Sequence, residues 1–139
     1  MAKKMTFEES DMQQAAVKAI DLWLVQHYQH LALVLQRKNG SMQVTSPLHA
    51  NQNAYNGNVR SGARSVREGV KSGVFDLTLP VPRGGYHGLY IEVKTGKGKL
   101  SFNQKAWLEH YKLNGYRAEV CRSVDEIFKT IVEYMGGKK

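Results

Sequence analysis

The stretch "GVFDLTLPVPRGGYHGLYIEVK" (residues 73–94) holds two apolar runs separated by a cluster of proline and glycine. The runs "VFDLTLPV" (74–81) and "GLYIEVK" (88–94) have the length and side-chain character of strands, and "PRGGYH" between them favours a tight reversal. The spacing therefore predicts a hairpin. Successive strand residues point to opposite faces. Phe75, Leu77 and Leu79 form one apolar face, with Asp76 and Thr78 opposite. On the second strand Leu89, Ile91 and Val93 face one way, and Tyr90, Glu92 and Lys94 the other.

If the polar faces coincide, Asp76 and Glu92 stand side by side with Lys94 a short step along. Two carboxylates held so close repel each other, and a divalent cation is the simplest thing that makes the arrangement favourable. Hard oxygen donors select Mg²⁺ or Mn²⁺, which polarise a phosphoryl oxygen and lower the pKa of water, while an ammonium nearby orients that water. The set suits metal-assisted hydrolysis of a phosphodiester. The competing possibility is a solvated sheet face with a Glu92 to Lys94 ion pair.

Upstream, Met12, Ala16, Ala19, Ile20, Trp23 and Leu24 recur at helical spacing, which predicts a helix from Thr6 to about Tyr28. Thr6 with Glu9 fits a capping box at its start. "LALVLQR" (31–37) reads as a strand closed by "KNG". Residues 40–73 are polar and glycine-rich, and read as a long loop with room for one short helix. Arg60, Arg64, Arg67 and Lys71 in this segment suit phosphate contacts, the alternative being a solvated surface insertion.

Downstream, Ser101 and Gln104 form a second capping box, for a helix bearing Ala106, Trp107, Leu108 and Tyr111, with Gly115 placed as its C-terminal cap. "YRAEVCR" (116–122) is a further strand, and Ser123 with Glu126 begins a last helix carrying Ile127, Ile131 and Tyr134. The order αβββαβα predicts an α/β fold, a mixed sheet of about four strands flanked by helices. No internal repeat interrupts it.

A chain of 139 residues fits one domain, residues 1–139, since two would each bury too little surface. Twenty Lys and Arg against 12 Asp and Glu give a net charge of +8, which points to nucleic acid as partner, against a basic protein merely kept soluble by its charge. The single cysteine, Cys121, excludes an intramolecular disulfide and an all-cysteine metal cage, and sets the expectation of an intracellular protein. No apolar run approaches a membrane span, and Met1–Ser10 lacks the apolar centre of a signal peptide. "TGKGKL" (95–100) lacks phosphate-loop spacing, so no nucleotide cofactor is expected. Lys97 and Lys99, just past the proposed metal centre, can hold a DNA backbone or belong to a plain polar turn. The histidines show no zinc-ligand spacing, and His87 reads as a surface residue. Trp23, Trp107 and Cys121 are most simply core residues.

The spaced set "ESDMQ" (9–13), "GVFDL" (73–77), "IEVK" (91–94), "LSFNQKAW" (100–107) and "NGY" (114–116) resembles the stand-alone VRR-NUC domains (virus-type replication-repair nucleases) of the PD-(D/E)XK nuclease superfamily, over most of the chain. The resemblance implies a restriction-endonuclease-like core in which Asp76 and Glu92 bind the metal, with the backbone carbonyl of Val93. It implies that Lys94 positions the attacking water or stabilises the transition state. Glu9 would be an additional acidic residue near the metal, and Gln104 a supporting polar residue, although both also occupy the third position of a capping box. Gln13, one turn beyond Glu9, can join the same face. The chain departs from the family in carrying Phe75 where proline usually precedes the aspartate, which leaves the local backbone less constrained by sequence.

The resemblance further implies structure-selective DNA cutting, as a Holliday junction resolvase acting on four-way junctions as a homodimer, in the cytoplasm of a bacterial host and with a phage gene among its sources. The alternatives are a nicking, flap or mismatch endonuclease of the same fold, and a non-catalytic DNA-binding module. Acidic groups facing phosphates argue against the last.

Overall fold

The computed structural model describes residues 7–52, 64 and 66–136. Their elements run α1 (Phe7–His27), a 3-10 turn (Gln29–Leu31), β1 (Leu33–Gln36), β2 (Met42–Thr45), β3 (His49–Ala50), β4 (Leu77–Leu79), β5 (Leu89–Val93), α2 (Phe102–Leu113), β6 (Arg117–Cys121) and α3 (Val124–Tyr134). Thr6 and Arg60 lie outside the described residues, so neither the first capping box nor the start of the basic segment is described.

Four strands form one mixed sheet in the order β3-β4-β5-β6. β4 and β5 are the antiparallel hairpin that the alternation predicts, and β5 and β6 run parallel, with α2 as the crossover between them. Leu77, Leu79, Leu89, Ile91 and Val93 make a buried face that packs with Ala16, Ile20 and Leu24 of α1 and Ile127 and Ile131 of α3. Ala19, at the edge of the apolar stripe of α1, is exposed. On the other face Tyr90 stacks on Tyr111 of α2, with ring centroids 4.0 Å apart. The result is helices on both faces of a mixed sheet, the α/β architecture expected from the sequence. Among the described residues no helix is long and apolar enough to cross a membrane.

Residues 40–73 are not all loop. β2 pairs with β1 in a separate two-stranded sheet, and β3 pairs with β4, so the fourth strand of the main sheet is β3 and not β1. Sequence patterning misses both for physical reasons. Met42 and Val44 of β2 face away from the core and are exposed, so no buried face selects them. The two residues of β3 form a strand only because β4 offers a partner.

Candidate active site

The hairpin register sets Leu77 opposite Ile91 and Thr78 opposite Tyr90. Continued by one residue, it sets Asp76 beside Glu92, at the end of the sheet where β5 runs out toward α2. Asp76 Oδ2 accepts the backbone N–H of Val93 over 2.8 Å. Glu92 is only 3% exposed, and its Oε2 accepts from Gln104 Nε2 over 2.8 Å. Lys94 Nζ lies 3.6 Å from the same oxygen and is equally buried.

α2 delivers Gln104. Its capping box is complete, for Ser101 Oγ accepts from the Gln104 N–H and Gln104 Oε1 accepts from the Ser101 N–H. The cap and the contact with Glu92 therefore fall on the two ends of one amide. α1 delivers Glu9, which is buried and whose Oε2 accepts from Thr95 N over 3.3 Å, in the loop that follows β5. Its charge is felt at Asp76, which it pushes toward protonation. Gln13 turns inward as well, and its Oε1 is buried with no hydrogen-bond partner.

Burial dominates the electrostatics. It pushes the Asp76 carboxyl up to about 6, against the lowering effect of the Val93 N–H, of the neighbouring Glu92 carboxyl and of Lys94. It pushes Glu92 up to about 9, the Asp76 charge adds to the rise, and Lys94 offsets only part of it. Burial thus disfavours two charges side by side here, and a bound cation would favour the ionised pair. Glu92 Oε1 is buried with no hydrogen-bond partner, which leaves one carboxylate oxygen for a ligand. Among the described residues no three His, Cys, Asp or Glu side chains lie close enough to enclose a metal by themselves. The donor set is thus two hard carboxylates at the sheet end, which fits a divalent ion of the Mg²⁺ class with water completing its shell better than a closed structural site.

The backbone that carries Asp76 is held through space. The Phe75 N–H donates to the Tyr111 hydroxyl over 3.3 Å, and Asn51 Nδ2 donates to the Phe75 carbonyl over 2.8 Å. The constraint missing from the sequence at Phe75 is supplied by these neighbours, and proline could not make the first of these bonds. Gly73 is fixed in the same corner. Its φ is +91, and an added Cβ would lie 2.6 Å from Asn103 Cβ and 2.9 Å from the Gln104 nitrogen.

A family model for the VRR-NUC domain matches residues 15–125. The chain belongs to the VRR-NUC domain family. A solved structure described as a VRR-NUC domain protein is 26% identical to it, with a TM-score of 0.64 over 96% of this chain and 91% of the other. No curated protein matches. Membership makes the chain a nuclease domain of the PD-(D/E)XK type, whose substrate is DNA and whose superfamily uses divalent metals. The matched span contains Asp76, Glu92, Lys94 and Gln104, while Glu9 and Gln13 precede it.

This VRR-NUC domain exposes Lys97 and Lys99 in the loop beyond β5. Arg122, which sequence reasoning passed over, donates from Nη1 to the carbonyls of Gly96 and Gly98, over 3.1 and 2.8 Å, and so pins that loop to the end of β6. Lys71 is exposed next to Ser72, whose carbonyl accepts from Trp107 Nε1 over 2.9 Å. Trp107 is therefore half-buried and hydrogen-bonded, not a purely apolar core residue. Arg67 is exposed, and Arg64 is engaged by Glu68 at 2.7 Å. Neither Asn51 nor Arg122 carries a sequence signal, because bonds to carbonyl groups leave no periodicity.

Proposed function

We propose that this chain is an Mg²⁺- or Mn²⁺-dependent DNA endonuclease that resolves four-way (Holliday) junctions as a homodimer in a bacterial cytoplasm. The observation that carries the chemistry is the pairing of Asp76 with Glu92 at the sheet end, with Glu92 Oε1 buried and unpaired and Lys94 at 3.6 Å.

In this proposal Asp76, Glu92 and the Val93 carbonyl hold the divalent ion, which when bound supplies Lewis acidity to the phosphodiester. Lys94, desolvated beside Glu92, orients the attacking water and offsets charge as the water oxygen bonds to phosphorus and the P–O bond to one sugar oxygen breaks, the water giving up a proton to solvent and the leaving oxygen taking one from it. Gln104 holds Glu92 in orientation, and Glu9 fixes the loop at Thr95 while adding negative charge near Asp76. Lys97 and Lys99 take the DNA backbone, with Arg64, Arg67 and Lys71 as further exposed cations for phosphate and Arg60, outside the described residues, proposed with them. Phosphate contacts of this kind read shape more than sequence, which suits a branched substrate.

The outer face of the β1–β2 sheet supports the homodimer. Val34 stands opposite Val44, and Met42 lies on the same face, the three 62%, 61% and 59% exposed. A two-stranded sheet is marginal alone, and an apolar face of this kind marks an interaction site. One active site per chain needs a two-fold partner to cut two strands symmetrically.

The test is cleavage of a labelled four-way junction beside linear, flap, nicked and mismatched duplexes, in Mg²⁺, Mn²⁺ or EDTA, by wild type and Asp76→Asn. Paired, metal-dependent cuts in the junction, lost in the variant, are expected. Preferential cutting of another substrate replaces the junction by that structure. Binding without cutting in any metal overturns the enzyme.

A further inference from the structure

β4 begins at Leu77, so the residue that matters most for the chemistry, Asp76, sits at a bend just before the strand. Something must fix that bend. Asn51, immediately after β3, does so with three hydrogen bonds. Its backbone N–H donates to the Asp76 carbonyl over 2.8 Å. Its side-chain amide donates to the Phe75 carbonyl over 2.8 Å and to Thr78 Oγ1 over 2.6 Å. The residues on both sides of Asp76 are thus tied to one amide, and the Phe75 N–H donates to the Tyr111 hydroxyl.

The chemistry of the position is specific. Phe75 O is an acceptor only, and Thr78 Oγ1 acts as acceptor in this contact, so the side chain at 51 must offer two N–H donors from one planar group. Asparagine does this in the half-buried space available. An aspartate of the same shape offers no donor and sets its charge against a carbonyl oxygen.

We infer that Asn51 is a positioning residue for the reaction: by clamping Phe75 and Thr78 it sets the direction in which the Asp76 carboxylate meets the ion and Glu92. The inference rests on the nuclease function proposed above. Groups that orient metal ligands without touching the metal change metal affinity or activity by about 10- to 100-fold when removed, and the Asn51 side chain acts on Asp76 through the backbone of Phe75 and the side chain of Thr78.

The experiment compares wild type, Asn51→Asp, Asn51→Ala and Tyr111→Phe in two readouts. One is Mn²⁺ binding to the DNA-free protein, followed by electron paramagnetic resonance. The other is kcat and KM on the DNA that wild type cuts. The expected result is a 10- to 100-fold loss of Mn²⁺ affinity and of kcat in both Asn51 variants, with KM within about twofold, and a smaller loss in Tyr111→Phe. A purely structural role would lower the melting temperature while leaving Mn²⁺ affinity and kcat per folded molecule at wild-type values, and that result overturns the inference. If the Asn51 variants do not fold, Thr78→Val removes one of the two amide acceptors alone, and unchanged Mn²⁺ affinity and kcat there overturn it equally. A wild type that cuts no DNA sinks the nuclease function itself, a different outcome from active variants.

Discussion

The side-chain amide of Gln104 donates to Glu92 Oε2 over 2.8 Å while its oxygen accepts the Ser101 N–H over 2.9 Å, so the first turn of α2 and the acidic pair share one group. The two roles are separable. Ser101→Ala breaks the cap and spares the bond to Glu92, and should cost about 1 kcal/mol of stability with near-normal cleavage. Gln104→Ala should lose similar stability and in addition about 10-fold or more in cleavage. Urea unfolding and junction cleavage on both variants check this, and equal activity in the two would remove Gln104 from the site.

The acidic pair should make metal-free stability depend on pH. Both carboxyls are raised from their ordinary values of 3.8 and 4.5, so the folded state binds protons that the unfolded chain releases. This contribution is complete below the ordinary values and is lost as pH rises through about 6 for Asp76 and about 9 for Glu92. In EDTA the melting temperature should therefore fall between pH 5 and 9. Asp76→Asn should flatten the fall, and Mn²⁺ should raise the melting temperature most at the alkaline end. Parallel curves for wild type and variant would show that the pair does not control it.

Gly73→Ala should be costly. The left-handed backbone contributes about 1–2 kcal/mol and the collision with Asn103 about 1–3 more. Because the collision pushes on the start of α2, cleavage should fall along with the urea midpoint. A variant of wild-type stability would contradict the close approach at this corner.

The lysine loop gives a prediction in salt dependence. Lys97→Ala with Lys99→Ala should weaken DNA binding and flatten the slope of log affinity against log salt by roughly 0.9 for each phosphate that is no longer neutralised. Arg122→Ala should weaken binding severalfold with the slope unchanged, since its guanidinium holds the carbonyls of Gly96 and Gly98. A slope lowered by the Arg122 variant as well would mean that this arginine touches phosphate directly.

Val34→Lys with Val44→Lys places charge on the outer face of the β1–β2 sheet. Wild type should sediment as a dimer and the variant as a monomer, and the variant should nick a junction once where wild type is expected to cut twice. Unchanged sedimentation would move the interface elsewhere.

Much of this site is legible in the sequence because strand alternation is a strict period. Leu77 and Ile91 face the core, and the register continued one residue past β4 brings Asp76 beside Glu92, although Phe75 leaves the alternation and packs on Tyr111 of α2. The Ser101 capping box is equally legible, being local in sequence. What stays hidden is whatever depends on a partner distant in the chain. β3 is two residues long and exists through β4, and Asn51 reaches Phe75 across 24 positions. The outward apolar residues of β2 lack the buried face that would have marked them as a strand.

The burial of Lys94, at 2% exposure, separates it chemically from Lys97 and Lys99 a few residues on. An amine-directed reagent reaches the two exposed lysines freely and meets Lys94 only through an opening of the fold. Covalent modification would therefore separate the two roles proposed for these lysines, and the labelling rate at Lys94 becomes a clock for how often the sheet end breathes.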